Sequence, residues 1–212
     1  MKGSAAALKS LKNKGLVQVF ILKKERASKV DISNQPIGPS LKFTTEQKQV
    51  FTQLSEAISQ SNFQPFLLHG VTGSGKTEIY MRCIQQVLEQ GKTAIMMVPE
   101  ISLTPQTVER FHQRFGDRVA ILHSGLSQKE RFTEWKKIHD KQVSIAVGAR
   151  SAVFAPFTNL GIIVIDEEHD GSYKQDSTPR YHARDTAVMR AHSQNAIVLL
   201  GSATPSLESI HN

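Results

Sequence analysis

An α/β domain, in which a parallel sheet carries helices on both faces, is the fold that this sequence predicts. From Phe43 onward, short strands that are apolar throughout alternate with longer amphipathic segments. Strands of this kind are buried on both faces, which requires helices above and below the sheet. Hydrophobic residues make up 39% of the chain, which is enough for a buried core. No apolar run reaches the length of about 18–20 residues that a membrane-spanning helix needs.

The first 42 residues differ in composition from the rest of the chain. A short helix is predicted over residues 4–14 and a strand over residues 16–22, and residues 25–42 read as a linker rich in Lys, Ser, Asn and Pro. Residues 1–29 hold eight basic residues and one acidic residue, whereas basic and acidic residues balance in the remainder. This basic segment indicates a polyanionic partner such as nucleic acid, or else a solvated lysine surface that favours solubility.

Helices and strands alternate from residue 43 to the end. Apolar residues at helical spacing predict one helix opened by Thr44-Thr45-Glu46-Gln47, and further helices at Thr77–Gln90, 104–115, Gln128–His139 and Arg184–His192. Short apolar runs predict strands at Phe66–His69, Ala94–Val98, Val119–Leu122, Ser144–Val147, Ile162–Ile165 and Ile197–Leu200. Ligands of such sheets bind at the carboxyl ends of the strands, so the residues that follow each strand are the candidate site residues.

The segment after the first of these strands fits the phosphate-loop pattern G-x4-G-K-[ST]. It runs from Gly70 to Thr77 and opens a predicted helix, which is the context that the pattern requires; the alternative is an ordinary glycine turn. Glycines allow backbone N–H groups to surround a phosphate, and the helix N-terminus adds positive charge. Lys76 is predicted to bridge the β- and γ-phosphates and Thr77 to bind Mg²⁺. The candidate nucleotide ligands are Gly70, Thr72, Gly73, Ser74, Gly75, Lys76, Thr77 and Glu78.

Two acidic residues end another apolar strand. Asp166 is predicted to hold Mg²⁺ together with Thr77, and Glu167 to orient or deprotonate an attacking water. Lys76, Asp166 and Glu167 are therefore the candidate catalytic residues of a nucleoside triphosphate hydrolase. His169 is predicted to be a hydrogen-bonding sensor rather than a purely structural histidine. Ser202 and Thr204 follow the last strand, and their hydroxyls are expected to bond towards the metal-site acids.

A family resemblance rests on six segments that occur in order: GVTGSGKTE, VPEISLTPQ, HSGLS, VGARSAVFAP, DEEHD and GSATPS. From about Leu41 to Asn212 the chain resembles the superfamily 2 helicases, and most closely the PriA family of bacterial replication-restart helicases. The resemblance implies a RecA-like, P-loop NTPase lobe over residues 43–212, which uses ATP and Mg²⁺ as part of an ATP-dependent 3′→5′ DNA helicase. Residues 1–24 resemble the end of a winged-helix DNA-binding domain.

The resemblance also implies roles for residues outside the phosphate loop. Gln47 would contact the adenine. An aromatic-rich loop after the acidic residues would couple DNA binding to hydrolysis, since its rings can stack on bases and its cations can pair with phosphates. The residues implied in DNA binding are Pro99, Glu100, Ser102, Thr104, His123, Ser124, Arg150, Ser151, Tyr173, Lys174, Arg180 and Tyr181.

The partners implied are single-stranded and forked DNA, with primosome and single-strand-binding proteins, in a bacterial, nucleoid-associated cytoplasmic setting without a membrane partner. The family is expected to have a second lobe with an arginine finger, and a zinc-binding module, and the sequence shows neither. This piece is therefore expected to hydrolyse ATP weakly or not at all. Zinc is expected only in the missing part. Alternatives are a RecG-like or other superfamily 2 translocase, a nucleotide kinase or other P-loop NTPase, and a non-catalytic module whose basic arm binds DNA.

Overall fold

The computed structural model describes residues 42–211, so the predicted winged-helix element and nearly all of the predicted linker lie outside the described residues. The helices of the described part are α1 Thr45–Gln60, α2 Lys76–Glu89, α3 Pro105–Phe115, α4 Gln128–His139, α5 Ala183–Ser193 and α6 Leu207–His211. Its strands are β1 Gln64–His69, β2 Thr93–Met97, β3 Val119–Leu122, β4 Ile145–Gly148, β5 Leu160–Ile165, β6 Lys174–Gln175, β7 Tyr181–His182 and β8 Ile197–Ser202. Among residues 42–211, no helix is both long and apolar enough to span a membrane.

Six of the strands form one parallel sheet, in the order β1-β8-β5-β2-β4-β3. The predicted α/β fold is confirmed. Because all six strands run in the same direction, the segments that follow them emerge at one edge of the sheet. The phosphate loop follows β1, the acidic residues follow β5, and the GSATPS segment begins with the last two residues of β8. These three strands are neighbours, with β8 between β1 and β5.

The sheet is covered on both faces, as its apolar strands require. Ile162 and Val164 of β5 pack into a cluster with residues of α1, α2 and α3. Ile163 and Ile165 of the same strand pack into a second cluster with residues of α4 and α5. The alternation of side chains along a strand therefore divides one fully buried strand between two cores. Each such side chain contributes about 1.5–3 kcal/mol by leaving water.

Three helices begin where the sequence predicts because side chains cap them. Thr44 and Gln47 form a capping box at α1, Ser127 and Glu130 form one at α4, and Thr104 caps α3. The sequence did not predict the antiparallel pair β6–β7, which lies inside the aromatic-rich loop, or the short helix α6. Two-residue strands are too short to show an alternating pattern, so tertiary contacts decide them.

Candidate active site

The phosphate loop forms a tight turn between β1 and α2. Gly73 and Gly75 have φ angles of 82° and 86°, in the left-handed region that favours glycine. A Cβ added at Gly75 would lie 2.3 Å from Nε2 of Gln47, so a larger residue would also displace the end of the Gln47 side chain. The Gln47 Nε2 also donates to the Ser74 carbonyl at 2.8 Å. Lys76, buried at the start of α2, donates from Nζ to the Gly70 carbonyl at 2.7 Å.

The acidic residues face this loop across a cleft of about 630 Å³. Nζ of Lys76 lies 3.8 Å from Oε1 of Glu167. The structure therefore brings the predicted catalytic residues to one place, although Lys76 and Asp166 are far apart in sequence. The residues that line the cleft are Thr72, Gly73, Gly75, Lys76, Thr77, Glu78, Met81, Arg110, Gln113, Arg114, Asp166 and Glu167.

Asp166 is held in a partly buried position at the end of β5. Its Oδ1 accepts a hydrogen bond from the Tyr80 hydroxyl at 3.0 Å. Burial raises the pKa of Asp166, and the neighbouring Glu167 charge adds to that rise, while the Tyr80 hydrogen bond and Lys76 oppose it. A carboxylate that burial disfavours in its charged form gains from a nearby cation. The donor set of Thr77 hydroxyl, Asp166 and Glu167 consists of oxygen atoms, which Mg²⁺ prefers, so these residues fit a magnesium ion.

Glu167 takes a backbone conformation that is uncommon for a residue with a side chain. Its φ angle is 46°. One carboxylate oxygen lies near Lys76, and the other accepts from the Ala203 amide at 3.4 Å and lies 3.8 Å from Nδ1 of His169. Glu167 thus lies between Lys76 of the phosphate loop and Ala203 of the segment after β8; its role towards an attacking water stays a prediction.

His169 connects the acidic segment to two hydroxyls at the end of β8 and just after it. Its Nδ1 lies 2.7 Å from Oγ of Ser202, and its Nε2 lies 3.3 Å from Oγ1 of Thr204. The hydroxyls were expected to point towards the metal-site acids; instead they contact His169, because β8 lies directly beside β5 and its end is level with the turn that carries the histidine. A sensor role for His169 remains a prediction that this geometry suits.

The third acid, Glu168, was not singled out from the sequence. It is only 1% exposed and accepts from the Ser206 amide at 2.8 Å, from the Ser209 hydroxyl at 2.8 Å and from Arg184 at 3.2 Å. Burial opposes ionisation, but these hydrogen bonds outweigh it and lower the pKa of Glu168. Neither Arg184 nor Ser209 carries a local sequence signal for this contact, because it joins segments that are far apart in the chain.

Helix α3 supplies a wall of the cleft that the sequence did not indicate. Arg114 lies 3.7 Å from Glu78, which also pairs with Arg82 at 3.1 Å. Burial lowers the pKa of the Arg114 guanidinium, whereas the Glu78 charge opposes that effect. Glu78, a predicted nucleotide ligand, is therefore engaged by arginines of α2 and α3. Arg110 and Gln113 of α3 complete this wall.

The loops predicted to bind DNA follow β2, β3 and β4, on the other half of the sheet edge. The Ser124 hydroxyl donates to Glu100, which connects the loops after β2 and β3. Thr104 caps α3, and the Ser102 carbonyl accepts a hydrogen bond from the Thr107 hydroxyl at 2.9 Å.

The residues predicted to bind DNA differ in exposure: His123 is half-buried and Ser151 is exposed. Pro99 is buried, so a direct DNA contact by its ring does not fit the structure.

The aromatic-rich loop contains the clearest correction. Tyr173 is fully buried, and its hydroxyl donates to the Asp166 carbonyl at 2.7 Å. It therefore cannot stack on a base in this structure, and the predicted DNA contact of Tyr173 is wrong: the ring fills the core beneath the loop. Lys174 and Arg180 are exposed, and Tyr181 is half-buried with its ring 5.1 Å from that of Phe154. Arg150 donates to the Lys174 carbonyl at 2.9 Å and so supports the loop.

Comparison with known proteins decides the family. A family model described as "DEAD/DEAH box helicase" matches residues 44–212, which is most of the chain. The chain belongs to the DEAD/DEAH box helicase family. This assignment favours a helicase over a nucleotide kinase.

This DEAD/DEAH box helicase chain is similar to curated proteins named "Replication restart protein PriA". It is 53% identical to the protein of Bacillus subtilis over 97% of the chain, 46% identical to that of Haemophilus influenzae over 99%, and 44% identical to that of Synechocystis over 98%. The predicted resemblance to the PriA family is confirmed. The chain spans about a quarter of the length of these relatives, at 26%, 29% and 24% respectively.

Solved structures of helicases share the fold. A RecG structure bound to a three-way DNA junction matches 81% of the chain with a TM-score of 0.59 and 25% identity, and the match covers 22% of the RecG chain. The Hef helicase domain of Pyrococcus furiosus matches 81% of the chain with a TM-score of 0.54 and 22% identity, over 34% of that domain. These likenesses support the RecA-like arrangement of sheet and helices.

Proposed function

We propose that this chain is the ATP-binding motor lobe of an ATP-dependent 3′→5′ DNA helicase that acts in replication restart in the bacterial cytoplasm. One observation carries the proposal: Lys76 and Thr77 share a single cleft with Asp166 and Glu167, with 3.8 Å between Lys76 and Glu167. The high identity to PriA proteins supports the biological setting. The partners proposed are single-stranded and forked DNA, together with primosome and single-strand-binding proteins.

The predicted site residues each have a proposed part in ATP binding or hydrolysis. The backbone amides of Thr72 to Gly75 would surround the β-phosphate, and the Lys76 ammonium would leave the Gly70 carbonyl to contact the β- and γ-phosphates. Thr77 and Asp166 would hold Mg²⁺, which neutralises charge on the phosphate oxygens. Glu167 would accept a proton from the attacking water or orient it. Gln47, which already contacts the loop at Ser74, would reach the adenine.

The segments that touch Glu167 would relay the state of the nucleotide. Loss of the γ-phosphate would change the contacts of Glu167 with Ala203 and His169, and through His169 those of Ser202 and Thr204. In the intact helicase, a second lobe would close over the nucleotide, and reopening would move the motor along one DNA strand. The exposed residues Lys174 and Arg180 would contact phosphates of that strand.

The test is to replace Lys76 in the full-length protein. We expect Lys76→Ala to abolish DNA-stimulated ATP hydrolysis, because the ammonium is the cation that stabilises the transferred phosphoryl group. DNA affinity, measured by fluorescence anisotropy with a forked oligonucleotide, should stay close to that of the wild type. Lys129→Ala on α4, an exposed lysine that does not line the cleft, is the matched control and should retain full activity.

Retained DNA-stimulated turnover in Lys76→Ala would refute the assignment of the cleft. Phosphoryl transfer to a nucleoside monophosphate, without any response to DNA, would favour a kinase instead. Calorimetry with Mg²⁺ and ATP that shows no nucleotide binding by the wild type would leave only a DNA-binding module.

A further inference from the structure

We infer that Tyr80 is a positioning residue for Asp166, which it orients to hold a divalent cation beside Thr77. The inference rests on the proposed function, since it concerns the magnesium site of the same cleft. It assigns a role in metal binding to a residue outside the phosphate loop and outside the acidic segment.

The hydroxyl of Tyr80 makes a specific contact in a buried place. The residue is 0% exposed, and its hydroxyl donates to Oδ1 of Asp166 at 3.0 Å. The ring packs in the core cluster between α2 and the sheet, where a phenylalanine would fill the same space. A buried hydroxyl needs a hydrogen-bond partner, and the partner here is a carboxylate of the cleft. The hydrogen bond to Asp166, and not packing, therefore accounts for a tyrosine in place of a phenylalanine at this position.

Helix geometry places Tyr80 on the same side of α2 as the metal-binding hydroxyl. Residues three apart on a helix are neighbours on its surface, so Thr77 and Tyr80 lie one above the other. Thr77 lines the cleft directly, and Tyr80 reaches Asp166 from beneath. One helix thus carries a candidate metal ligand and the group that orients the other one. With Oδ1 engaged by Tyr80, the second carboxylate oxygen has a defined direction.

A glycine of β8 leaves the room that this arrangement requires. A Cβ at Gly201 would lie 1.6 Å from the Tyr80 hydroxyl oxygen, so only glycine allows the hydroxyl to reach Asp166. The Gly201 carbonyl accepts from the Glu168 amide at 3.0 Å, which keeps the end of β8 level with the acidic turn. Tyr80 therefore lies where α2, β5 and β8 meet.

The test compares Tyr80→Phe with the wild type in the full-length protein. Binding of a non-hydrolysable ATP analogue is measured by titration calorimetry at a series of MgCl2 concentrations. We expect the Mg²⁺ concentration for half-maximal stimulation of binding to rise about tenfold in Tyr80→Phe, the effect of losing a hydrogen bond to a charged group. Affinity for the analogue without Mg²⁺ should stay unchanged, since the phosphate loop is intact.

Tyr173→Phe is the matched control. This substitution also removes one buried tyrosine hydroxyl that bonds to Asp166. That hydroxyl donates to the backbone carbonyl of Asp166 and not to its carboxylate. Its Mg²⁺ requirement should match that of the wild type. An equal shift in both variants would overturn the inference, because it would show that any loosening of the β5 end has this effect.

The outcomes separate the inference from the proposed function. If the wild type binds the analogue in a Mg²⁺-dependent way and Tyr80→Phe has the same Mg²⁺ requirement, only the role of Tyr80 is overturned. A wild type without Mg²⁺-dependent binding overturns the proposed function and this inference together. Thermal unfolding without metal, followed for each variant, checks that the titrated protein is folded, and a shift that persists when only the folded fraction is counted supports the positioning role.

Discussion

Gly201 shows how a single residue type can determine the geometry of a cleft that it does not line. It is buried at the end of β8, and the Tyr80 hydroxyl group occupies the volume where a side chain would begin. Here glycine is required because of a close approach and not because of its backbone freedom. The strand could carry an alanine without harm to its hydrogen bonds, so the cost of substitution would come from the displaced ring.

We predict that Gly201→Ala destabilises the protein by about 1–3 kcal/mol, because inserting a methyl group into a packed core forces neighbouring groups to shift. The measurement is the free energy of unfolding in urea. Gly171→Ala is the control, since a Cβ at that position meets no atom within 4 Å and its free energy of unfolding should change by less than about 0.5 kcal/mol. Equal stability of Gly201→Ala and the wild type would show that Tyr80 can move away without cost.

At the scale of elements, Glu168 fastens three segments together. Glu168 lies just after β5. Its carboxylate accepts hydrogen bonds from Arg184 in the first turn of α5 and from Ser206 and Ser209 at the start of α6. Because a buried charge without partners is costly, each of these contacts stabilises the ionised carboxylate. The network holds the segment that carries Ser202 and Thr204 against the acidic turn.

We predict that Glu168→Gln lowers the free energy of unfolding by about 1–3 kcal/mol at neutral pH, since the amide has one acceptor oxygen where the carboxylate has two, and its NH2 group would face one of the donors that bond to Glu168. The hydrogen bonds depress the pKa of Glu168 below its ordinary value of 4.5, so its stabilising contribution is present above that value and is lost as the pH falls through the depressed pKa. The difference between variant and wild type should therefore shrink in acid.

Urea unfolding followed at several pH values checks this dependence. Glu56→Gln, which changes an exposed glutamate of α1, is the control and should stay close to the wild type throughout. A difference between Glu168→Gln and the wild type that is constant or grows towards acid would show that the charge of Glu168 is not what stabilises the network.

The whole sheet separates two tasks along one edge. The segments after β1 and β5 line the cleft together with α3, and the segment at the end of β8 contacts Glu167 beside it. The loops after β2, β4 and β3 are those predicted to meet DNA. The hairpin β6–β7 is connected to both halves, because Tyr173 contacts the Asp166 carbonyl and Arg150 contacts the Lys174 carbonyl. DNA bound to the hairpin would thus be linked to Asp166, the candidate metal ligand, through the hydrogen bond of Tyr173.

We predict that Lys174→Ala combined with Arg180→Ala weakens binding of single-stranded DNA by the full-length protein and reduces its stimulation of ATP hydrolysis. Each lost phosphate contact should lower the slope of log affinity against log salt by about 0.7. Fluorescence anisotropy at several salt concentrations measures both quantities. The pair Lys129→Ala and Lys136→Ala on α4 removes the same charge and should leave the slope unchanged; a slope that falls equally in both pairs would mean that the hairpin makes no particular contact.

The sequence by itself determined the sheet, the positions of its main strands and helices, and the segments that end at the cleft. It did so because apolar periodicity and the phosphate-loop pattern are local properties of the chain. The tertiary structure alone decided the partners of the buried polar groups: Tyr80 with Asp166, Glu168 with Arg184 and Ser206, and Tyr173 in the core instead of on DNA. These pairs join residues that are distant in the chain, and only the order of the strands brings them within hydrogen-bond distance.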